Sequence, residues 1–267
     1  MSTPGLQILR FDSLPSTNLE AARQAVAGAE EGLCVVAGEQ TAGRGRLQRQ
    51  WISPNGAGLY FSIVLRPSFE QSTWPLLTLM AAVAVHDALL DSCGLKTDIK
   101  WPNDVLAQDK KLCGILAETV ETSAGRAIVV GIGINLTKDS FPRELSESAT
   151  GVELVEGKTP ELEAVLAALI RSLTSRYEQI KQPRGPEEIV ADWCARSSYA
   201  QGRCVSVSDG DEHFVGTTSG VERDGALRVE TDDGEIRILH AGEVQSIRPA
   251  TMQLHASRSS LESNDKR

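Results

Sequence analysis

Residues 110–135 read KKLCGILAETVETSAGRAIVVGIGIN and contain two apolar runs, at 114–119 and 127–134, separated by a short polar segment. Runs of this length and composition are typical of strands, and their close spacing predicts a hairpin. Three more such runs occur earlier, at 33–37, 59–65 and 96–100. Because several of the five runs are consecutive hairpin candidates, we expect a mixed, largely antiparallel sheet.

Four segments have the periodicity of helices, which we expect to pack on one side of this sheet in an α+β fold. In the first, Thr17 at the N-cap and Glu20 have the spacing of a capping box, and Leu19, Ala22 and Val26 would form one face. Gly94 ends the second helix, and Pro160 opens the third in its first turn. The residues that set the helical period are Leu79, Val83, His86 and Leu90 in the second helix and Leu162, Leu166, Leu169, Leu173 and Tyr177 in the third. The fourth helix is predicted over residues 186–196.

The pattern changes after about residue 201, where apolar and polar residues alternate and Asp-Gly pairs occur at 209–210, 224–225 and 233–234. Asp-Gly is a strong hairpin signal, so this segment predicts a meander of short strands that closes into a small β-barrel. We therefore divide the chain into a large domain at 1–200, a barrel at 201–250 and a flexible tail at 251–267. The alternating residues are Val205, Val207, Phe214, Leu227, Val229, Ile236 and Ile238.

Composition restricts the class of protein. The 267 residues carry 27 basic and 36 acidic side chains, a net charge of −9, which is a poor match for nucleic acids or anionic membranes. Apolar stretches are interrupted within a few residues and the N-terminus lacks a signal-peptide pattern, so we expect a cytoplasmic protein with no membrane-spanning segment. The five scattered cysteines and four histidines have no metal-ligand spacing, which favours free, mostly buried thiols.

One segment departs from the acidic average. Residues 40–69 contain no acidic side chain, and their centre reads Ala42-Gly43-Arg44-Gly45-Arg46. Glycines that alternate with arginines allow a loop to close over a ligand while guanidinium groups face a phosphate or a carboxylate. A solvated basic loop, or an Arg-Gly motif that binds RNA, would have the same composition.

A second cluster is Lys100-Trp101-Pro102-Asn103-Asp104, followed after a turn at 108–109 by Lys110 and Lys111. Asn103 and Asp104 would lie at the mouth of a turn, where they can hold a hydroxyl, a metal ion or a backbone amide. The lysines add point charges, and Gly114 permits close approach of the backbone. A plainer interpretation makes Asp104 a turn residue and the lysines part of a solvated hairpin.

Two further motifs are weaker when taken alone. Gly131 and Gly133 lack the full dinucleotide-binding pattern, and a strand whose glycines clear space for a flat ligand is a better interpretation. Ser16, Thr17 and Asn18 can hydrogen-bond a neutral polar head group, although helix capping alone would account for Thr17.

Together, in this order and spacing, the motifs resemble the catalytic domain of biotin protein ligases over roughly residues 8–195. They are S-T-N at 16–18, Q-x-A-G-R-G-R from Gln40 followed by Trp51, K-W-P-N-D from Lys100, K-x-x-G-I-L-x-E from Lys111 and G-I-G-I-N from Gly131. The meander resembles the small, Src-homology-3-like barrel that these ligases carry. Many members continue G-R-G-R-x-G-R, whereas Leu47-Gln48-Arg49 follows here, so a third loop glycine is missing.

The resemblance implies an enzyme that joins biotin to ATP as biotinyl-5′-adenylate and then transfers biotin to a lysine of the biotin carboxyl-carrier protein of acetyl-CoA carboxylase, with Mg²⁺. Ser16, Thr17, Asn18 and Gln40 would bind the ureido ring of biotin and its surroundings. Arg44, Gly45 and Arg46 would close over the carboxylate and α-phosphate. By the same resemblance, Lys111 would hold the charge at the reacting centre, Trp51, Asn103 and Asn135 would bind the adenylate, and Asp104 would serve either Mg²⁺ or the incoming lysine.

Three rival functions belong to different classes. A lipoate ligase or octanoyltransferase shares the general fold, but an aliphatic acid needs no set of ureido-binding side chains. A biotin-responsive repressor would need an N-terminal helix-turn-helix, and only 15 residues precede Ser16. An RNA-binding Arg-Gly protein is disfavoured by the net charge and by the lack of aromatic residues within the loop. We expect no nucleic-acid partner, and both a monomer and a homodimer stay open.

Overall fold

The computed structural model describes residues 7–209 and 212–246, and its larger part is built on one seven-stranded sheet. The order across the sheet is β1-β2-β3-β7-β6-β5-β4, with β1 parallel to β2 and every other pair antiparallel. The predicted mixed, largely antiparallel sheet is therefore confirmed. The strands are β1 (Ile8–Leu14), β2 (Cys34–Gln40), β3 (Gly58–Leu65), β4 (Asp98–Lys100), β5 (Asp104–Ala107), β6 (Lys110–Thr122) and β7 (Gly125–Asn135).

Helices cover both faces of the sheet, so the expectation of helices on one side was wrong. α1 (Thr17–Val26) packs on one face, while α2 (Leu76–Cys93), α4 (Leu162–Ile180) and α5 (Gly185–Ala195) pack together on the other; α3 (Val152–Glu156) is a single short helix. All eight residues of β3 are buried, as strands covered on both faces require. Val64 points into the α1 layer and its neighbour Ile63 into the other core.

The first helix differs from its predicted form. Its N-cap is Ser16, and the backbone N–H and hydroxyl of Thr17 both donate to Oε1 of Gln40, at 2.8 and 3.1 Å. No capping box forms, because these groups have a tertiary partner. Leu19 and Val26 are 47% and 56% exposed. The buried face is instead formed by small residues, Ala21 and Ala25, which let the helix approach the sheet closely.

The other predicted helices are close to the observed ones. Gly94 ends α2 in the left-handed conformation, as predicted, and α5 differs from its predicted extent by one residue at each end. Pro160 precedes the N-cap Glu161 and is not in the first turn of α4. By length and composition α2 could cross a membrane, contrary to the expectation that no segment could, but 61% of it is buried within the protein, as in the core helix of a soluble protein.

The C-terminal part, called the barrel below, is a five-stranded antiparallel sheet in the order β11-β10-β9-β8-β12. Its end strands β11 and β12 are not paired with each other in the described residues, so closure into a barrel stays a prediction. The Asp-Gly pairs at 224–225 and 233–234 lie in its turns as predicted, whereas Gly210 of the pair at 209–210 and the predicted tail lie outside the described residues. Ile236 and Ile238 are exposed on the edge strand. The strands are β8 (Gln201–Asp209), β9 (Glu212–Val221), β10 (Leu227–Thr231), β11 (Ile236–Leu239) and β12 (Glu243–Ser246).

This barrel and the large sheet share one hydrophobic core. Val205 and Leu227 belong to the same buried cluster as Leu76 of α2. The indole N–H of Trp101 also donates to the carbonyl of Gly225 in the β9–β10 turn, at 3.0 Å. The barrel is thus packed against the helical layer through both apolar and polar contacts.

A half-buried ion network ties the three long helices together. Both carboxylate oxygens of Asp87 in α2 form ion pairs. Oδ2 lies 2.5 Å from the guanidinium of Arg176 in α4, and Oδ1 lies 2.9 Å from that of Arg196, which follows α5. Asp192 in α5 binds the same two arginines. One turn further along α2, Asp91 makes only an exposed pair with Arg171.

We therefore expect unequal effects from two matched substitutions in α2. Asp87→Asn should lower the free energy of unfolding by about 1–3 kcal/mol, because a half-buried guanidinium loses its charged acceptor. Asp91→Asn should cost less than about 0.5 kcal/mol, since its pair is solvated. Denaturant unfolding of both variants measures this, and equal losses would contradict the assigned role of Asp87.

Candidate functional site

A single large cavity of about 1100 Å³ gathers the sequence motifs. It is bounded by the start of α1, the loop that follows β2, strands β6 and β7, and edge strand β12 of the barrel. Every predicted site residue lines it: Ser16, Thr17, Asn18, Gln40, Arg44, Gly45, Arg46, Trp51, Asn103, Asp104, Lys111 and Asn135.

The floor of the cavity is made by glycines on neighbouring strands. Gly114 of β6 is the register partner of Gly133 of β7, and the indole of Trp51 lies against both. A Cβ atom on Gly133 would overlap that ring, and one on Gly114 would lie 2.9 Å from it. In this structure the glycines clear space for the indole of Trp51, and space for a flat ligand stays a prediction. The indole N–H of Trp51 is buried and has no hydrogen-bond partner among the described residues.

At one end of the floor, neutral polar side chains form a buried network. Oγ of Ser62 lies 2.8 Å from the hydroxyl of Thr17 and 2.7 Å from Oδ1 of Asn18. The amide of Asn18 donates to Glu118 at 2.8 Å, and that of Gln40 donates to Ser53 at 2.8 Å. Thr17 is therefore held as part of the site and not as a helix cap.

Three members of this network, Ser53, Ser62 and Glu118, were not among the predicted site residues, and the last two contact Asn18. These two each had a signal in the sequence. Ser62 is the polar residue within the apolar strand β3, and Glu118 closes the K-x-x-G-I-L-x-E motif. A buried hydroxyl in such a strand needs a polar partner, which points to a neighbouring site.

The Arg-Gly loop lies over the cavity and is anchored at three points. Arg44 donates to both oxygens of Glu118, at 2.7 and 3.4 Å. Nη1 of Arg46 donates to Asn103 at 3.2 Å and to the carbonyl of Gly242 in the barrel at 3.4 Å. Arg49 forms an ion pair with Glu243 of β12. Burial lowers the pKa of the Arg46 guanidinium, although Asp104 and Glu243 oppose the shift.

The missing loop glycine has a conformational consequence. Leu47 and Gln48 both have positive φ angles, 52° and 60°. Gln48 occupies the position of the third glycine in the G-R-G-R-x-G-R pattern. Glycine adopts this left-handed region freely, whereas a residue with a Cβ atom is strained there.

Opposite the loop, Asp104 lies beside two lysines, Lys100 and Lys111. It forms an ion pair with Lys111 at 2.7 Å. Residues 101–103 form a turn, and Asp104, the first residue of β5, closes it by pairing with Lys100, so Asn103 and Asp104 lie at the mouth of a turn as expected; a second turn is at 108–109, as predicted. Lys111 is held by Asp104 and lies 5.5 Å from the ring of Trp51, so it is not simply a solvated hairpin residue.

A segment that the motifs did not predict closes the far wall. Residues 137–150 pair with the start of β6, where the N–H of Lys111 donates to Ser148 and its carbonyl accepts from Thr150. Asn135 donates to the carbonyl of Thr150 at 3.0 Å and thereby holds this segment. Barrel residues also line the cavity, among them Arg203 and Glu243, which no motif predicted.

Within residues 7–209 and 212–246 no group of three or more histidine, cysteine or acidic side chains is placed to hold a metal ion. None of the five cysteines forms a disulfide, as expected, but only Cys34 and Cys113 are buried, so the expectation of mostly buried thiols was wrong. Burial raises the pKa of Cys34 to about 12 and that of Cys113 further, so both stay protonated at neutral pH. Neither thiol is therefore prepared to act as a nucleophile.

Residues 9–135 match the biotin/lipoate A/B protein ligase family, and residues 202–245 match the biotin protein ligase C terminal domain. The chain is 35% identical to the bifunctional ligase/repressor BirA of Bacillus subtilis over 246 residues, 90% of this chain and 74% of that protein. It is 31% identical to the biotin–[acetyl-CoA-carboxylase] ligase of Mycobacterium tuberculosis over 238 residues, 87% and 86% of the two chains. The structure is similar to that of the Aquifex aeolicus biotin protein ligase in complex with biotin and ATP, with a TM-score of 0.79 at 29% identity over 91% of this chain and 99% of that one.

The glycines of β7 should differ in their tolerance of a methyl group. In Gly131→Ala the new Cβ overlaps the amide of Asn18, which its network holds in place, so we expect a loss of about 1–3 kcal/mol of unfolding free energy. In Gly133→Ala the overlapping group is Trp51, which lies on a loop and can move aside, so the loss should be smaller.

Thermal unfolding compares the two variants. Gly133→Ala should in addition change the tryptophan fluorescence, and this change should disappear when Trp51 is also replaced by Phe. Equal destabilisation of the two variants would show that Asn18 is not held rigidly.

Proposed function

The chain belongs to the biotin protein ligase family, and from the chemistry of its site we propose that it activates biotin with ATP as biotinyl-5′-adenylate and transfers the biotin to a lysine of a biotin carboxyl-carrier protein. The observation that carries the proposal is one cavity in which a neutral polar network and the cations Lys111 and Arg46 lie on either side of a glycine floor. Biotin has the same distribution of groups, a neutral ureido ring at one end and a carboxylate at the other.

The neutral end of the cavity suits the ureido ring. Ser16, Thr17 and Asn18 offer hydroxyl and amide groups, and Gln40 fixes Thr17 through two hydrogen bonds. Because Arg44 is paired with Glu118, its positive charge is largely neutralised at this end. These side chains hydrogen-bond one another in the structure. A ureido ring has donors and acceptors that can exchange for those bonds, whereas a lipoyl or octanoyl chain has none, so the polar lining favours biotin over an aliphatic acid.

In the first step a carboxylate oxygen of biotin attacks the α-phosphorus of ATP. The bond from this phosphorus to the oxygen that bridges to the β-phosphate breaks, and its electron pair leaves with pyrophosphate. Both reactants are anions, so the step needs fixed cations. Lys111 is aimed by its ion pair with Asp104, and Arg46 is held over the cavity by Asn103 and Gly242. Gly45 gives the loop its close approach.

In the second step the amine of the carrier lysine attacks the carbonyl of the mixed anhydride, and AMP leaves. The anhydride is already activated, so the enzyme needs no nucleophile of its own. Trp51, Asn103 and Asn135 would enclose the adenylate and exclude water. Asp104 would either bind the incoming amine of the carrier lysine or hold Mg²⁺.

One carboxylate does not make a complete Mg²⁺ site, but Mg²⁺ in nucleotide sites takes one or two carboxylates together with phosphate oxygens. Asp104 fits that arrangement, and the ion would reduce the charge of the triphosphate. The carrier is proposed from the name of the Mycobacterium tuberculosis relative, which specifies acetyl-CoA carboxylase. A cytoplasmic location and the absence of a nucleic-acid partner are proposed with it, and a monomer and a homodimer both stay open; the Bacillus subtilis relative is named a repressor as well as a ligase.

The direct test is the release of pyrophosphate from ATP by the purified chain. Biotin should trigger it, whereas lipoate and octanoate should not. If lipoate triggered the release of pyrophosphate equally well, the chain would be assigned as a lipoate ligase and not as a biotin ligase.

Replacing the cation at the reacting centre should stop the first step. We expect Lys111→Ala to slow biotin-dependent ATP–pyrophosphate exchange by roughly 10²-fold or more, the usual loss for a group that stabilises developing charge. The matched control is Lys110→Ala, because Lys110 contacts only the carbonyl of Ser146 and does not line the cavity. Similar losses in both variants would argue against a specific role for Lys111.

Weakening the loop should release the intermediate early. Arg46→Ala removes the bonds to Asn103 and Gly242, so we expect biotinyl-adenylate to dissociate and to label lysines of an unrelated protein. Arg126→Ala, which breaks an exposed ion pair with Glu121 and a hydrogen bond to Gln71 outside the cavity, serves as the control. Labelling that stays confined to the carrier in the Arg46 variant would contradict the sealing role.

A further inference from the structure

The cavity extends beyond Lys111 and Arg46 to the junction between the sheet and the barrel. There it is lined by Lys100, Tyr199 and Arg203, none of which has a role in the function proposed above. Lys100 and Arg203 come from different parts of the chain, the end of β4 and the start of β8. Both cations lie over the ring of Tyr199, Nζ of Lys100 at 5.9 Å and Cζ of Arg203 at 5.0 Å from its centroid.

Lys100 continues the row of residues that forms the cavity floor. In the sheet register it is paired with Asp104, which is paired with Gly114, which is paired with Gly133. The lysine is largely withdrawn from solvent, and burial lowers its pKa against the opposing charges of Asp104 and Glu243. No ion pair within residues 7–209 and 212–246 includes Lys100. Asp104 is already paired to Lys111 and does not neutralise Lys100. A positive charge that is withdrawn from solvent without an ion pair lowers the stability of the fold unless a ligand supplies an opposite charge.

Arg203 is likewise incompletely paired. It lies at an irregularity of β8, where its N–H donates to the hydroxyl of Thr218. Its one ion pair, with Asp109, is long at 3.4 Å. Its Nε is buried and has no acceptor among the described residues. Arg228 and Arg237 of the barrel also have a buried Nε without an acceptor among the described residues. Arg203 differs from them in lining the cavity, where a ligand can supply the acceptor.

We propose that Lys100 and Arg203 bind the β- and γ-phosphates of ATP and hold the pyrophosphate that leaves when biotin is adenylated. The inference rests on the proposed function, in which Lys111 and Arg46 already meet the carboxylate and the α-phosphate. When the bond from the α-phosphorus to the bridging oxygen breaks, the electron pair stays on that oxygen and the leaving group gains negative charge. Two further cations at the junction stabilise this charge, and no proton is transferred.

Kinetics of the exchange reaction test the assignment. The variants are Lys100→Met and Arg203→Met, which keep much of the apolar stem, and the controls are Lys96→Met, an exposed lysine before β4, and Arg228→Met, a barrel arginine outside the cavity. We expect each test variant to raise the KM for pyrophosphate in biotin-dependent exchange by about tenfold or more, as loss of a charge-assisted hydrogen bond does. The KM for biotin should change little, and Lys100→Arg should recover part of the effect.

A second measurement uses the parent chain and does not depend on the folding of a variant. An amine-acylating reagent should modify Lys100, and inorganic pyrophosphate added alone should slow that modification at least several-fold. Lys96 is the internal control and should be modified at the same rate with and without pyrophosphate. Peptide mass spectrometry reports both lysines in one experiment.

The possible results separate the two proposals. A parent chain without biotin-dependent exchange would refute the proposed function itself. A parent chain that exchanges, combined with an unchanged KM for pyrophosphate in folded Lys100 and Arg203 variants, would overturn the assignment of the two residues. If the variants do not fold, undiminished acylation of Lys100 in the presence of pyrophosphate would overturn it equally.

Discussion

The site depends on the absence of side chains at three points of the sheet. Gly114, Gly131 and Gly133 leave the backbone of β6 and β7 bare, and Trp51 and Asn18 occupy the space that Cβ atoms would take. Everything else is arranged around this bare floor. The polar network is held at one end of it, the paired cations at the other, and the Arg-Gly loop lies over it. A sheet whose residues were all β-branched would be as stable but would have no room for a flat ligand.

The parts of the fold that could be predicted were those whose signal is local. Apolar runs identified β2, β3, β6 and β7, and Gly94 ended α2 as its conformational freedom allows. Strands β1 and β5 were missed. β5 has four residues and follows directly on a segment dominated by Pro102, and β1 alternates irregularly between half-buried and exposed positions. The sequence could not predict that helices cover both faces of the sheet. A continuously apolar strand has the same sequence pattern whether helices cover one of its faces or both.

The candidate site divides in the same way. Motifs found the residues that line the cavity, but their partners are set by tertiary contacts between distant segments. Thr17 was expected to cap a helix and instead binds Gln40, 23 residues away. Asn135 holds the segment at 137–150, which has no motif of its own. The contributions of Arg203 and Glu243 follow from how the barrel packs on the sheet through Trp101, and no pattern in the barrel sequence predicts that contact.

The strained backbone at Leu47 and Gln48 affects how long the Arg-Gly loop stays closed over the cavity. A non-glycine residue in the left-handed region costs about 1 kcal/mol or more, so the ordered loop is roughly fivefold less populated than it would be with glycine at the same position. In the reaction proposed above, a loop that opens more readily would let AMP escape and new substrate enter sooner. It also guards a reactive anhydride for a shorter time. Sequence drift at this one position therefore moves such an enzyme between fast turnover and strict confinement of its intermediate, without any change in the residues that touch the ligand.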